Sequence, residues 1–365
     1  MSVAERDRPE GPATAQPTLV DVAAAAGVSR QTVSNVLHAP DRVRPETRAR
    51  VERCIAELGY QPNRPAQDLR ANASRMIGCR IRPLAPGALA SIHDRFLHAL
   101  AEAGRAADRH LLLFTADDPR AEAECAARLR RSGGAAGFVL YDVTAADIRP
   151  RILLDLGVPF VAFGRTADGT DRYPWVDVDN PSGTAAAVDH LVHRGHRRIG
   201  YIGWPADDTI GSRRAQGWQA AIERHGLTAE CRALDVRGED TITAGAQMAY
   251  ALLGQPEPPT ALVTATDTLA VGVLRAAQQW GLEVGRDVAV VGFDDTPTAA
   301  ALDLSSVRQP IERVGQHVMA TLLDATSSAT SRAAARRVPA VTERLLTPRL
   351  IIRASSARPA PARHR

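Results

Sequence analysis

The chain has 365 residues, 45% of them hydrophobic and 24% charged, and its net charge at pH 7 is only +4. This length suits two or three domains with buried cores, and the near-balance of charges excludes a polycation that holds nucleic acid by charge alone. The basic residues other than histidine are all arginine, an enrichment that says little by itself about a partner.

The four cysteines, Cys54, Cys79, Cys125 and Cys231, lie far apart and form no CxxC pair and no metal-binding spacing. We therefore expect a reduced, cytosolic protein that holds no metal and no cofactor. Residues 1–17 are polar and rich in proline, which predicts a disordered arm without a signal peptide. No later segment reaches the roughly 20 apolar residues of a membrane span.

Residues 18–61 carry three short helical patterns. Thr18, with Asp21 three residues later, predicts a capping box at the start of the first helix, which Gly27 ends. Ser29 is a good N-cap for the second helix, and Pro45 suits the first turn of the third. Spacings of four and three residues predict that the third helix buries one face made of Val51, Ile55 and Leu58.

From residue 76 the sequence pattern changes. Short apolar runs, such as "MIGCRI", "GFVLYD" and "VAVVGF", alternate with segments that have the pattern of amphipathic helices. This alternation predicts parallel sheets covered by helices on both faces. The segment 76–353 is longer than one usual doubly wound unit, so we expect two Rossmann-like subdomains. The last residues, 354–365, are predicted to form a disordered tail.

The stretch "TLVDVAAAAGVSRQTVSNVLH" at 18–38 combines a helix, a tight turn with glycine and a second helix, which is the layout of a helix-turn-helix. The start of the second helix of that motif meets base edges in the major groove. Arg30 can pair with guanine and Gln31 with adenine. Hydroxyls at the same helix start can bond phosphate oxygens, namely those of Ser29, Thr32 and Ser34. Val33 and Val36 should face inward; the alternative is a capped helical hairpin that only packs on a core.

The residues "TLVDVAAAAGVSRQTVSNVLH…TRARVERCIAELGYQPNRPAQDLR" resemble, nearly without gaps, the N-terminal domain of the lactose-repressor/galactose-repressor family. The resemblance implies DNA contacts from Leu19, Val20, Ser29, Arg30, Gln31, Thr32, Ser34, Asn35 and His38. It also implies phosphate contacts from Thr47, Tyr60 and Asn63. Arg44 stands where the family commonly has a capping serine, so we expect a weaker cap on the third helix.

Residues 62–75 are the predicted hinge helix and linker, in which "NRPAQDLRA" at 63–71 matches the hinge helix of the family, which pairs with its dimer mate on DNA. Ala66 and Leu69 match the residues that enter the minor groove, where Leu69 would act as an apolar wedge that kinks the duplex. The alternative is a plain linker between domains.

The resemblance continues with gaps to about residue 353, through landmarks such as "WVDVDNPSG", "HLVHRGHRRIGYIG" and "VAVVGFDD". It implies two Rossmann-like lobes with a cleft between them, as in periplasmic sugar-binding proteins. The chain should cross between lobes near 174, 306 and 338. The near lobe would then hold about 76–174 and 307–338, and the far lobe about 175–306 and 339–353.

Carried over by position, Arg214 and Asp294 match the effector-binding arginine and the usual acceptor of sugar hydroxyls. Weaker candidates for the effector site are Thr266, Arg165, Asp240, Ser91 and His93. Arg214 could instead be a surface residue, and Asp294 with Asp295 could only cap the next helix. The histidines of "HRGHRR" at 193–198 more simply end a helix and turn the chain at Gly195 than bind a metal.

These features predict a sequence-specific transcription regulator, a repressor that binds a near-palindromic operator as a homodimer and responds to a sugar. A non-sugar effector or a corepressor is the runner-up within this class. A solute-binding receptor of a transporter is a different class, which the helix-turn-helix disfavours. An enzyme built on Rossmann lobes is a third, for which the sequence offers no nucleophile–base pair, metal cluster or phosphate loop.

Overall fold

The computed structural model describes residues 17–60, 74–81, 91–166, 172–205, 208–330 and 342–357. These residues belong to two compact units, one within Met1–Asn72 and one within Ala73–Arg365. The described part of the first unit is helical, with α1 at Leu19–Ala26, α2 at Arg30–His38, a short 3-10 turn at Pro40–Arg42 and α3 at Pro45–Leu58.

The helix ends follow the capping residues predicted from sequence. The Thr18 backbone N–H donates to Asp21 Oδ2 at 2.7 Å, and the Asp21 N–H returns to Thr18 Oγ1, which completes the capping box. Gly27 ends α1 at φ 61°, in the left-handed region that glycine adopts without strain. Ser29 Oγ accepts the N–H of Thr32 at 3.1 Å at the start of α2. Arg44 makes no side-chain hydrogen bond at the start of α3, so the expected weak cap is confirmed.

The core of the helical unit is small and built from all three helices. Val33 and Val36 of α2 are buried, as predicted, against residues of α1 and against Val51 of α3. The predicted buried face of α3 is only partly right, because Leu58 is 39% exposed. The chain turns at Gly59 and brings the ring of Tyr60 into the core in its place.

The second unit contains two six-stranded sheets, each covered by helices. The sheet of lobe 1 is entirely parallel and has the order β2-β1-β3-β4-β5-β11. Its strands are β1 at Met76–Arg80, β2 at His110–Phe114, β3 at Gly137–Leu140, β4 at Phe160–Phe163, β5 at Trp175–Val178 and β11 at Glu343–Leu346. Its helices are α4 at Ser91–Ala106, α5 at Pro119–Arg131, α6 at Arg149–Asp155 and α12 at Ile311–Thr330.

The sheet of lobe 2 has the order β7-β6-β8-β9-β10-β12, parallel except for the antiparallel edge strand β12. Its strands are β6 at Ile199–Gly203, β7 at Asp235–Arg237, β8 at Ala261–Thr264, β9 at Ala289–Asp294, β10 at Ser305–Arg308 and β12 at Arg349–Ile351. Its helices are α7 at Asn180–His193, α8 at Thr209–Arg224, α9 at Ile242–Leu253, α10 at Asp267–Gln279, α11 at Pro297–Ala301 and α13 at Ala354–Ala357.

The sheet order corrects the predicted lobe boundaries at 174 and 338. Strand β5 pairs with β4 and β11, so residues 175–178 complete lobe 1 before the chain crosses. Residues 343–346 also belong to lobe 1, and the chain crosses again only between β11 and β12. The sequence could not show this, because strands of both sheets have the same apolar pattern.

The predicted disordered tail begins too early at residue 354. Helix α13 covers Ala354–Ala357, and the Ser355 and Ser356 side chains are buried. Ser355 Oγ donates to Val290 O at 2.7 Å, and Ser356 Oγ bonds Ser305 Oγ at 2.7 Å, so hydroxyl bonds anchor this segment on lobe 2. Residues 358–365 lie outside the described residues, as does the predicted arm up to residue 16.

Helices α7 and α8 pack very closely, which fixes the side chains of α8. A Cβ on Gly217 would lie 2.2 Å from Pro181 O, so no larger residue fits there without moving α7. Lobe 2 thereby holds α8 rigidly at its sheet. Among the described residues, no helix is both long enough and apolar enough to cross a bilayer.

Candidate functional site

The start of α2 presents polar side chains on the outside of the helical unit. Ser29, Arg30 and Gln31 are exposed. Gln31 Nε2 donates to Asn35 Oδ1 at 3.1 Å, because residues four apart share one face of a helix. Val33 and Val36 anchor the opposite face of α2 in the core, so the hydrogen-bond donors and acceptors of its outer face are held by a packed helix.

The other predicted DNA contacts differ in exposure. Val20 is exposed, whereas Leu19, Thr32, Ser34, Asn35 and Thr47 are half-buried. Tyr60 is 8% exposed and packs in the core, a structural role that the sequence did not indicate. His38 ends α2, and Asn63, Ala66 and Leu69 of the predicted hinge lie outside the described residues.

Arg214 is buried inside lobe 2, at 3% exposure, so the alternative of a surface residue is wrong. Its Nε donates to Asn180 Oδ1 at 2.8 Å, its Nη1 to Ala265 O and its Nη2 to Asp294 Oδ1 at 3.4 Å. Its guanidinium carbon lies 3.7 Å from the ring centroid of Phe293. These contacts fix the guanidinium as a rigid donor beside a carboxylate.

Asp294 is the last residue of β9 and adopts φ 104°, an uncommon conformation for a residue with a side chain. Its Oδ1 also accepts Gln309 Nε2 at 2.6 Å. Burial raises the pKa of Asp294, and Arg214 and Gln309 oppose that rise. The alternative that Asp294 and Asp295 cap the next helix is wrong, since Thr296 caps α11.

Thr266 and Asp240 form a second polar pair after strands of lobe 2. Thr266 accepts the N–H of Leu269 as the N-cap of α10, and its Oγ1 donates to Asp240 Oδ1 at 2.5 Å. Burial raises the pKa of Asp240, while the hydrogen bond from Thr266 and the charge of Arg214 oppose that rise. Thr266 follows β8, Asp240 follows β7 and Asp294 ends β9, which are carboxyl ends of parallel strands.

Lobe 1 faces these residues with His93 of α4. His93 Nε2 lies 2.9 Å from Asp142 Oδ1, and a protonated His93 imidazole would oppose the raised pKa values of Asp240 and Asp294. Arg95 of α4 donates to the carbonyl of Asp294 at 3.3 Å. The carboxyl ends of both sheets therefore form the two walls of a polar cleft between the lobes.

Three residues of this cleft were missed by sequence reasoning: Asn180, Gln309 and Asp142. Asp142 lies two residues after the end of β3, so its position at a carboxyl end was a usable signal. Asn180 and Gln309 are contacts of Arg214 and Asp294, which only the folded chain reveals.

Arg165 has other partners than the predicted effector. Its Nε donates to Asp177 Oδ2 at 3.1 Å, and its guanidinium carbon lies 4.9 Å from the ring centroid of Trp175. Ser91 opens α4 as predicted. Helix α7 ends at His193 and Gly195 has φ 95°, the expected helix end and turn, and no cluster of metal-binding side chains occurs among the described residues.

Known proteins match both units. Residues 18–63 match the bacterial regulatory proteins of the lacI family, and residues 188–356 match a periplasmic binding protein-like domain. The HTH-type transcriptional regulator AglR of Rhizobium meliloti is 34% identical over 303 residues, 81% of this chain and 84% of AglR.

Two solved structures of such regulators cover almost the whole chain. The CelR–cellobiose complex is 29% identical and has a TM-score of 0.67, covering 93% of this chain and 99% of that chain. The lac repressor dimer bound to operator and the anti-inducer ONPF is 26% identical and has a TM-score of 0.79, with the same coverage of 93% and 99%. The chain therefore belongs to the LacI family and is a DNA-binding transcription regulator with an N-terminal helix-turn-helix.

Proposed function

We propose that this regulator is a homodimeric repressor that binds a near-palindromic operator and is controlled by a sugar held between its lobes. One observation carries the proposal: a rigid guanidinium, Arg214, and a buried carboxylate, Asp294, meet at the carboxyl end of β9. A polyol needs both donors and acceptors in a cleft, and these two groups supply them. The proposal contains no catalytic step and places the protein in the cytoplasm, at the nucleoid.

On the DNA side, Arg30 and Gln31 read bases, and Asn35 reads with them from one helical turn further on. The exposure of Arg30 and Gln31 above the buried Val33 and Val36 supports this assignment. The side chains predicted as phosphate contacts bind the DNA backbone, namely Ser29, Thr32, Ser34, Thr47, Tyr60 and Asn63. A two-fold protein fits a two-fold operator. The solved operator complex of the lac repressor is a dimer, which favours the same state here.

The effector side is supported by the relative solved with cellobiose. Ligand in the cleft would favour one relative rotation of the lobes over another. Operator affinity then changes because the two arrangements differ in their affinity for DNA, which is a coupling of two binding equilibria. A corepressor that strengthens DNA binding uses the same scheme with the opposite sign.

The test begins with DNA fragments enriched from a random pool by the purified protein, which define the operator. Neutral saccharides, cellobiose among them, are then screened for a change in operator affinity. Arg214→Ala and Asp294→Ala should each weaken the active saccharide several-fold or more by calorimetry. Both variants should keep the ligand-free operator affinity. Wild-type saccharide affinity in both would show that the effector lies elsewhere.

Oligomeric state has its own measurement. Light scattering should give about twice the chain mass of 39.0 kDa. A mass of one chain or of four would overturn the proposed dimer.

A further inference from the structure

A charged side chain of lobe 2 reaches across to lobe 1 beside the cleft. Arg213 lies on α8, and its Nη1 donates to Asp177 Oδ2 at 2.8 Å. Its Nη2 donates to Thr166 O at 2.8 Å. Both acceptors belong to lobe 1, because Asp177 lies in β5 and Thr166 follows β4. A single guanidinium thus makes two hydrogen bonds between the lobes.

Asp177 is poorly suited to stand without a cation. Asp177 as a residue is 3% exposed, and its Oδ1 accepts the N–H of Val178 at 2.8 Å. Burial raises the pKa of Asp177, and the charges of Arg213 and Arg165 oppose that rise. Arg165 belongs to lobe 1, so Asp177 has one cationic partner on each lobe. A buried carboxylate that loses such a partner is strongly destabilised, so the lobe arrangement that keeps Arg213 near is favoured.

The next residue along α8 links this contact to the cleft. Arg214 binds Asp294 and Ala265 O, and its Nε bonds Asn180, the first residue after the crossover from lobe 1. Arg213 and Arg214 are consecutive residues of α8, which packs closely against α7 at Gly217, so a displacement of this helix would carry both arginines. A change of position at the cleft is therefore also felt at Asp177.

Another contact between the lobes is weaker by its chemistry. Arg95 donates to the backbone carbonyls of Asp294 and Asp295 at 3.3 and 3.4 Å. These acceptors are neutral and the distances are long, whereas Arg213 meets a carboxylate at short distance. Of these two contacts, the bond to Asp177 is the one more sensitive to lobe rotation.

We infer that Arg213, with Asp177 and Thr166 O, is an interlobe clasp that sets the equilibrium between the lobe arrangements of the regulator. The inference rests on the proposed control of DNA binding by the lobes. Arg213 and Asp177 are positioning residues here: they act on DNA through the lobes and need not touch the effector. We expect loss of the clasp to shift the populations even without effector, since an arrangement that separates Arg213 from Asp177 and Thr166 O lacks both bonds.

The test compares variants that differ only in whether the clasp crosses the lobes. Arg213→Gln and Asp177→Asn remove it, and the double variant should behave like either single one. Arg165→Gln takes a cation from the same carboxylate but leaves the crossing bond in place. Arg224 lies on α8, like Arg213, and forms an exposed ion pair with Asp189 of α7 within lobe 2. Arg224→Gln removes this pair. The last two are the matched controls.

The first readout is the distance between two spin labels, attached to cysteines introduced at the exposed positions of Glu102 in lobe 1 and Arg232 in lobe 2. This distance is measured without DNA by electron paramagnetic resonance. The labelled chain carries serine at the half-buried Cys54 and Cys125. The clasp variants should move or broaden the distance distribution, and the controls should keep that of the wild type. Unchanged distributions in folded Arg213→Gln and Asp177→Asn would overturn the clasp.

The second readout is the operator dissociation constant without effector. The clasp variants should change it at least three-fold, in one common direction, while Arg165→Gln and Arg224→Gln do not. A merely structural role would lower the unfolding temperature but leave the affinity of the folded protein unchanged, which also overturns the clasp. If Asp177→Asn does not fold, Arg213→Lys, which keeps the charge but loses the two-bond fork, must show a smaller shift of the same sign. Wild-type protein that selects no DNA would instead refute the proposed operator binding, and the label distances still test the clasp.

Discussion

Helix α2 and the interlobe cleft use polar side chains in opposite ways. On α2, Ser29, Arg30 and Gln31 are exposed and point away from a core of valines. In the cleft, Arg214 and Asp294 are buried and bonded to each other. The first surface depends on which residues a short helix turns outward. The second depends on strands and helices that are far apart in the sequence.

The difference shows how each region tolerates change. An exposed side chain of α2 can be replaced with little effect on the stability of the fold, because water takes over its hydrogen bonds. In the cleft, a substitution that removes one side chain leaves another buried polar group without its hydrogen-bond partner. We therefore expect binding losses without unfolding from the first region, and coupled losses of stability and response from the second.

The largest contrast should come from Arg214→Ala set against Arg30→Ala. Removing Arg214 leaves Asp294 buried without its cation and should lower the free energy of unfolding of the second unit by about 3–5 kcal/mol. Arg30→Ala should stay within about 0.5 kcal/mol of the wild type, as exposed substitutions do. Urea unfolding followed by circular dichroism measures both. Equal losses would contradict the division between the two regions.

A pH dependence should arise beneath the cleft, at Asp267 of α10. Its carboxylate accepts the N–H of Thr296 at 2.7 Å and the hydroxyl of Ser306 at 2.6 Å. Burial, and then the charge of Asp294, raise the pKa of Asp267 from 3.8 to about 7. Between these values the folded protein keeps a proton that the unfolded chain has lost.

The free energy of unfolding should therefore fall as the pH rises from about 4 to about 7, by at most about 4 kcal/mol from this group. Asp267→Asn cannot titrate and should show a shallower slope in urea unfolding between pH 5 and 7.5. The half-buried Asp287, whose pKa is lowered by a hydrogen bond from Arg286, provides the control Asp287→Asn. If the free energy of unfolding of Asp267→Asn fell with pH as steeply as that of the wild type, Asp267 would not be the group responsible for the pH dependence.

On the DNA-facing side, Arg30→Ala should cost about 1–3 kcal/mol of operator affinity and relax specificity at one or two base pairs. Gel shifts on the selected operator and on single-base variants measure this. Arg224→Ala, in lobe 2, is the matched loss of one arginine and should change neither. An equal loss on random DNA would make Arg30 a phosphate contact instead.

The smallest effect concerns helix caps within the DNA-binding unit. Arg44→Ser should add the missing cap of α3 and raise the stability of this unit by about 0.5–2 kcal/mol, whereas Thr18→Ala should lower it by a similar amount. Thermal unfolding of both variants sharpens the comparison. An unchanged unfolding temperature in Arg44→Ser would mean that the start of α3 is already satisfied by other groups.

The sequence predicted the helical unit closely because its signals are local. Thr18, Ser29 and Gly27 act within one turn of their own position, and the structure confirms each of them. The alternation of strands and helices also predicted both parallel sheets. It could not assign β11 to a sheet, since that choice depends on pairing with β5, which lies more than 150 residues earlier in the chain.

The cleft was predictable only in part, for the same reason. Family position indicated Arg214, Asp294, Thr266 and Asp240, and these four lie at or beside carboxyl ends of lobe 2 strands. Their roles toward an effector stay predictions. Arg165 was assigned to the effector by position, yet its bond to Asp177 depends on a carboxylate in the next strand. The partners Asn180 and Gln309 carry no local signal at all.

The short segment from β11 to β12 has a consequence for biosynthesis. Two residues separate the strand that completes the edge of lobe 1 from the strand that completes the edge of lobe 2. A growing chain therefore cannot complete the sheet of lobe 1 until residue 346, or the sheet of lobe 2 until residue 351, has left the ribosome. The core of the three helices at 19–58 needs no residue later than Tyr60, so this unit can form during synthesis. Both lobes must then wait, with sheet edges open, so a stalled or truncated chain would present a helix-turn-helix attached to two unfinished and aggregation-prone sheets.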